Sequence, residues 1–235
     1  MTQESMTIEC DGERLAVVRC KAVTSAIAES VIILHGAGTA RKERTLSLAD
    51  DLAQAGLDVI SFDFSGHGDS SGSLRQLSLA RRCKQTRAVI DELVEADHHL
   101  TLIGFSMSGQ TVGDLLGAYG NRVTRIALCS PAIYAKAVWT TPFSDAFTRA
   151  IRVNGSWRDS DALGQFARFS GRAVLAVPGE DTVIPSEVTF EIEQALNERS
   201  DFVGLVFGQA THQLGTWFEA HADSRQNLVK ALLIP

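Results

Sequence analysis

Ser106 stands in Gly104-Phe-Ser-Met-Ser-Gly109, between an apolar run, Leu100–Phe105, and a helical pattern that opens at Met107. A serine on a sharp strand-to-helix turn, flanked by small residues, has the form of a nucleophile elbow, which lifts the hydroxyl clear of its neighbours. A serine hydroxyl is a poor nucleophile at neutral pH. It needs an adjacent base, a third group to fix the tautomer of that base, and N–H donors aimed at the developing oxyanion. The strict Gly-x-Ser-x-Gly pattern is broken at its last position, where Ser108 stands instead of Gly. The crossing demands only a small residue, so the Ser108 hydroxyl either fills it or hydrogen-bonds beside the nucleophile.

The chain has six histidines, at positions 35, 67, 98, 99, 212 and 221. In elbow enzymes the order along the chain is serine, acid, histidine. Of the six, His212 and His221 follow Ser106. His212 comes directly after the last apolar run and is the expected base, while His221 is expected on the surface of the closing helix. The acid should follow the run Val174–Val177, where Pro178-Gly-Glu-Asp-Thr-Val-Ile-Pro185 offers Asp181, with Glu180 as the second choice. The oxyanion donors are expected to be the backbone N–H of Met107 and that of Ala37, in the loop His35-Gly-Ala-Gly38. That loop lacks the glycine spacing of a phosphate cradle. His67, in Gly66-His-Gly68, is expected to organise the neighbouring loop. His35 and His67 have no metal-ligand spacing, and the sequence points to no metal and no cofactor.

Elements must hold these groups together. Val31–Leu34, Val59–Phe62, Leu100–Phe105, Val123–Cys129, Val174–Val177 and Phe202–Phe207 read as strands, most of them continuously apolar and so buried on both faces. Helical spacing separates them: Leu48, Leu52 and Ala55; Leu79 to Val94; Met107–Tyr119; Val188, Ile192 and Leu196; and a closing helix Phe218–Leu233. Asp11-Gly12, between two alternating runs, signals a hairpin. The expected fold is α/β, a mostly parallel twisted sheet with helices on both faces and an N-terminal antiparallel hairpin. The chemistry-bearing loops all follow strands and should converge on one sheet edge. Residues 1–235 read as a single domain with a small helical cap inserted at about 132–169, a stretch carrying Tyr134, Trp139, Phe143, Phe147 and Trp157. A substrate pocket is expected from His35, Gly36, Trp139 and Phe143.

A net charge of −6 and a pI near 5.5 argue against a nucleic-acid partner. The basic cluster Arg81-Arg82-Cys83-Lys84, with Arg87, reads as the solvated face of an amphipathic helix. Four cysteines without metal or redox spacing read as free thiols in a reducing compartment. Without a signal-peptide pattern or an apolar run long enough to cross a bilayer, a cytoplasmic protein with no membrane partner is expected. Oligomeric state is not encoded in any recognisable pattern.

His35-Gly-Ala-Gly, Asp63-Phe-Ser-Gly-His-Gly-Asp-Ser-Ser-Gly, Gly104-Phe-Ser-Met-Ser-Gly, Gly179-Glu-Asp and His212 come in the order and rough spacing of the α/β-hydrolase superfamily. Phe62-Asp-Phe-Ser-Gly-His-Gly-Asp-Ser with Ser130-Pro-Ala resembles the bacterial cinnamoyl/feruloyl esterase and serine-aminopeptidase-like branch. The resemblance implies an α/β-hydrolase fold with Ser106 as nucleophile, His212 as base, Asp181 as acid, and Ala37 and Met107 at the oxyanion. The apolar cap suggests a small acyl or aryl ester as the small-molecule substrate, cleaved through an acyl-enzyme on Ser106. Acyl transfer or thioester cleavage by the same residues is the alternative, and a non-catalytic binding protein on this fold is the third reading.

Overall fold

The computed structural model describes residues 3–22 and 28–233. Residues 1 and 2, part of the segment read for a signal peptide, lie outside it. The chain opens on a hairpin of β1 (Gln3–Cys10) and β2 (Glu13–Cys20). Asp11 and Gly12 take φ of 55° and 74°, the paired left-handed geometry that a two-residue turn between twisted strands requires. The remaining strands are β3 (Glu29–Leu34), β4 (Asp58–Phe62), β5 (His99–Phe105), β6 (Val123–Cys129), β7 (Arg172–Glu180) and β8 (Asp201–Thr211). They form one eight-stranded sheet in the order β1-β2-β4-β3-β5-β6-β7-β8. β2 pairs antiparallel with β1 and with β4, and every pairing from β4 onward is parallel.

The apolar runs explain the layering. In β3, Ile32 and Leu34 face one core and Val31 and Ile33 the other, all with no exposed surface. The first core is closed by α2 (Leu79–Leu93), α3 (Ser108–Tyr119), α5 (Asp161–Arg168) and α6 (Ser186–Asn197). The second is closed by α1 (Leu46–Gln54), α7 (Leu214–Ala220) and α8 (Ala222–Leu233). The four cysteines are buried and free. No described helix is long and apolar enough to cross a membrane.

Two expectations change. The segment around 132–169 divides in two. Its end, α5, is a layer helix packed so tightly on α3 that a Cβ at Gly113 would lie 2.6 Å from the Ala162 Cβ. The part outside the helical layer is a short helical turn, Lys136–Val138, then α4 (Asp145–Ile151) and a second turn, Ser156–Asp159. There Val138 and Phe147 pack on Leu79 and Met107, beside the elbow. The closing helix is also broken, at His221, whose φ of −125° and ψ of 85° end α7. The His221 ring stacks 3.5 Å from that of Trp217, and its Nδ1 lies 2.9 Å from the Trp217 carbonyl oxygen. The break lets Phe218 and Leu228 enter the same core.

β3 and β5 are adjacent in the sheet, with Leu34 opposite Gly104, while the chain leaves them for opposite sides. A crevice at their carboxyl ends follows from that divergence. The crossing of β5 and α3 depends on Gly104, where an added Cβ would meet the Ser108 carbonyl oxygen at 2.7 Å and Val112 Cγ2 at 2.8 Å. Gly104→Ala is expected to cost about 1–3 kcal/mol of stability in chemical denaturation, because the overlap is with backbone and a packed methyl.

Candidate active site

Ser106 has a φ of 50°, a left-handed conformation that costs a non-glycine residue energy and persists only where its surroundings impose it. Three backbone hydrogen bonds do so. The Ser106 N–H donates to the Cys129 carbonyl (2.9 Å), and its own carbonyl accepts from the N–H groups of Gly109 (2.9 Å) and Ala132 (2.8 Å). Close approach is possible because Gly36 and Gly109 lack side chains. Their Cβ atoms would lie 3.2 Å from Ser106 Cβ and 2.8 Å from Pro131 Cβ.

The loop after β8 brings His212 Nε2 to 2.9 Å from Ser106 Oγ. On the other side of the ring, His212 Nδ1 lies 2.9 Å from Asp181 Oδ2. Asp181 is fixed in turn, since its Oδ1 accepts from the N–H groups of Val183 (2.8 Å) and Ile184 (3.1 Å). A carboxylate at Nδ1 keeps the proton there and leaves Nε2 free to accept from the serine hydroxyl. Glu180 is exposed at the end of β7, and the acid bonded to His212 is Asp181. Ala37 and Met107 lie on the same side, packed into one small cluster, and no described acceptor takes the N–H of either.

The loop bearing Ala37 is held from behind. His35 is 2% exposed. Its Nδ1 donates to the Gly36 carbonyl (2.7 Å), and its Nε2 accepts from the Phe64 N–H (3.1 Å). Burial, then the nearby Arg82 charge, holds the His35 pKa well below the usual imidazole range, so the ring is a neutral brace. His67 packs beside it, with ring centroids 4.8 Å apart, and does not reach Ser106.

Arg82 overturns the expectation of a solvated basic face. It has no exposed surface, and its guanidinium lies 3.6 Å from the centre of the Phe64 ring. It donates to the His35 carbonyl (2.7 Å), to Ser108 Oγ (2.7 Å) and, at 3.4 Å, to the Gly36 carbonyl. The Ser108 hydroxyl donates to the same His35 carbonyl at 2.7 Å. Burial pushes the Arg82 pKa down to about 9. Ser108 therefore hydrogen-bonds rather than merely filling the crossing.

A cavity of about 340 Å³ opens beside Ser106 and His212, lined also by His35, Gly36, Ala37 and Tyr134. Trp139 and Phe143, expected in this pocket, do not line it. The Trp139 indole N–H needs an acceptor and finds Asp114 Oδ2 at 2.9 Å, in a separate groove. Phe143 instead packs on Phe147, with centroids 4.7 Å apart. The cap residue that reaches the cavity is Tyr134. Among the described residues one acidic group has metal-ligand geometry, Glu43 with Asp63 and Asp69. The Lys42 ammonium bonds all three, at 2.7, 2.8 and 2.9 Å, and occupies the place of a cation.

The model of the serine aminopeptidase (S33) family matches residues 25–164, and the chain belongs to this family of α/β hydrolases. It is 33% identical over 124 residues to the dihydrolipoyllysine-residue acetyltransferase component of the acetoin cleaving system of Cupriavidus necator. That match covers 52% of this chain and 32% of the relative, so the chain spans about a third of that protein's length. Among solved structures, Est1E of Butyrivibrio proteoclasticus with bound ferulic acid superposes with a TM-score of 0.71 at 17% identity, covering 96% of this chain and 98% of Est1E. The thioesterase domain of the curacin biosynthetic pathway gives 0.71 at 14% identity, covering 98% and 100%. At these identities the likeness establishes the α/β-hydrolase fold.

Two measurements follow. Ser108→Ala removes an acceptor from a buried cation, and a loss of about 1–3 kcal/mol in urea denaturation is expected. Burial pushes the Asp114 carboxyl up to about 6, against the lowering effect of Trp139 and Gln110, which donate to it. The folded protein then holds this proton more tightly than the unfolded chain, whose reference value is 3.8, so stability from this group rises as pH falls through 6. Trp139 fluorescence, read in a protein with Trp157 and Trp217 replaced by Phe, is expected to titrate with that midpoint.

Proposed function

We propose that this chain is a serine hydrolase of small carboxylic esters, working through an acyl-enzyme on Ser106. The observation that carries the reading is the unbroken line from Ser106 Oγ to His212 Nε2 and from His212 Nδ1 to Asp181 Oδ2, each step 2.9 Å. His212 takes the hydroxyl proton as Ser106 Oγ attacks the ester carbonyl, and Asp181 stabilises the imidazolium that forms. Negative charge collects on the former carbonyl oxygen, where the N–H groups of Ala37 and Met107 receive it. Met107 stands at the N-terminus of α3, whose dipole favours that charge. Collapse expels the alcohol, which takes the proton from His212. A water molecule activated by the same histidine then releases the acid and frees Ser106.

Arg82 belongs to this machinery as a positioning residue. The Gly36 carbonyl, which accepts from His35 Nδ1 and Arg82, is part of the peptide group whose N–H is that of Ala37. Donors on the carbonyl polarise the peptide and strengthen its N–H as a donor. The ester reading is favoured over cleavage of a free amino terminus by the cavity itself. Arg41 and Arg44 line it, and among the described residues no Asp or Glu does, so a substrate ammonium would meet like charge.

With p-nitrophenyl acetate, a burst of p-nitrophenol followed by steady turnover is expected. Ser106→Ala should lower kcat/KM by about a thousandfold or more. Retained activity in that variant would contradict the assignment. Arg82→Met is expected to lower kcat by about tenfold while KM moves little, because the donor geometry it supports matters most in the transition state.

A further inference from the structure

The cavity beside Ser106 is cationic in a protein of net charge −6. Arg41 and Arg44 both line it from the turn Lys42–Thr45 and the residue before it. Their situations differ. Arg41 is exposed and paired, its Nε 3.1 Å from Glu43 Oε2. Arg44 is half-buried and has no carboxylate within ion-pair distance among the described residues. Its recorded side-chain hydrogen bond is to the neutral amide oxygen of Gln213, at 3.3 Å, and Gln213 directly follows His212. Glu43, the acid next to Arg44 in the chain, is engaged by Lys42, as are Asp63 and Asp69.

Arg44 is also held in place. A Cβ at Gly215, in the first turn of α7, would lie 3.7 Å from Arg44 Cβ and 3.5 Å from its carbonyl oxygen. The backbone of Arg44 thus rests against the helix that follows His212. Its guanidinium is tethered through one nitrogen, with further N–H donors left for a ligand. A half-buried guanidinium without a counter-ion, at the wall of a cavity partly screened from water, is best satisfied by a carboxylate, which it can grip with paired hydrogen bonds.

We propose that the ester hydrolysed here carries a free carboxylate, on its acyl or its alcohol part, and that Arg44 binds it. This rests on the hydrolase reading above and names its substrate class. The bond that breaks is the ester; the carboxylate is bound and not transformed.

The test compares matched esters. Mono-p-nitrophenyl adipate is set against p-nitrophenyl hexanoate for an acyl-side carboxylate, and 4-acetoxybenzoate against phenyl acetate for an alcohol-side one. In one of the pairs the ratio of kcat/KM, charged over neutral, is expected to exceed that of Arg44→Gln by about tenfold or more, with Arg44→Lys between them. The pair that responds identifies the side. Equal ratios for wild type and Arg44→Gln in both pairs would overturn the proposal. Calorimetry with adipate on Ser106→Ala separates it from the hydrolase reading. Adipate binding to Ser106→Ala that is lost in Ser106→Ala/Arg44→Gln, together with a wild-type protein that cleaves no ester, would support the anion site and contradict the hydrolase. Ester turnover with no Arg44-dependent preference and no adipate binding would do the reverse.

Discussion

A serine held at a φ of 50° between a strand and a helix is the constraint on which the rest of this molecule turns. Left to itself the residue would relax to an ordinary conformation, and the strand would not hand over to α3 at this angle. The protein removes that freedom with backbone hydrogen bonds from β6 and from the residues just past it, and by keeping side chains off the crossing. Rigidity at this point is what makes a distance of 2.9 Å to His212 meaningful, because the histidine arrives from β8, at the far edge of the sheet. Two parts carried by separate strands meet reproducibly only if neither strand end is soft.

Two buried cations flank the loop between β3 and α1, and they are satisfied in opposite ways. Lys42 is surrounded by carboxylates and ties the turn before α1 to the loop after β4. Arg82 has no carboxylate partner in its hydrogen-bond set, only carbonyls, the Ser108 hydroxyl and the face of Phe64. A charge buried on such terms costs energy, and burial already draws its pKa down to about 9. The arrangement makes sense where negative charge develops nearby for only part of a cycle. A permanent carboxylate would quench the field that an oxyanion needs, whereas carbonyl partners leave it in place.

Much of this was legible in the sequence. Buried parallel strands announce themselves as short apolar runs, and a residue directly after such a run must stand at the carboxyl edge of the sheet. That rule alone placed Ser106, Asp181 and His212 on one edge, and the structure brings them together. Asp11-Gly12 was legible for a similar reason, since its turn chemistry is local. What could not be read was anything decided by partners distant in sequence. Arg82 looks like one more solvated charge in a basic helix until the loop after β3 folds over it. Ser108 could be read either as a filler or as a hydrogen-bonding group, and only the folded loop, which brings the His35 carbonyl to its hydroxyl, decides between them. The aromatic residues of the segment after β6 were visible, but not their directions: Trp139 turned to Asp114 and Phe143 to Phe147, leaving Tyr134 at the cavity. His221 ended a helix that periodicity carried through, because its ring and backbone both seek the Trp217 carbonyl.

The central claim is that His212 and the elbow make Ser106 a nucleophile. Incubation with a fluorophosphonate, followed by intact-protein mass measurement and mapping of the modified peptide, tests it without reference to any substrate. The account predicts one adduct per chain, carried by Ser106, absent in Ser106→Ala and formed much more slowly in His212→Ala. An unlabelled protein, or an adduct on another residue that persists in Ser106→Ala, would contradict it.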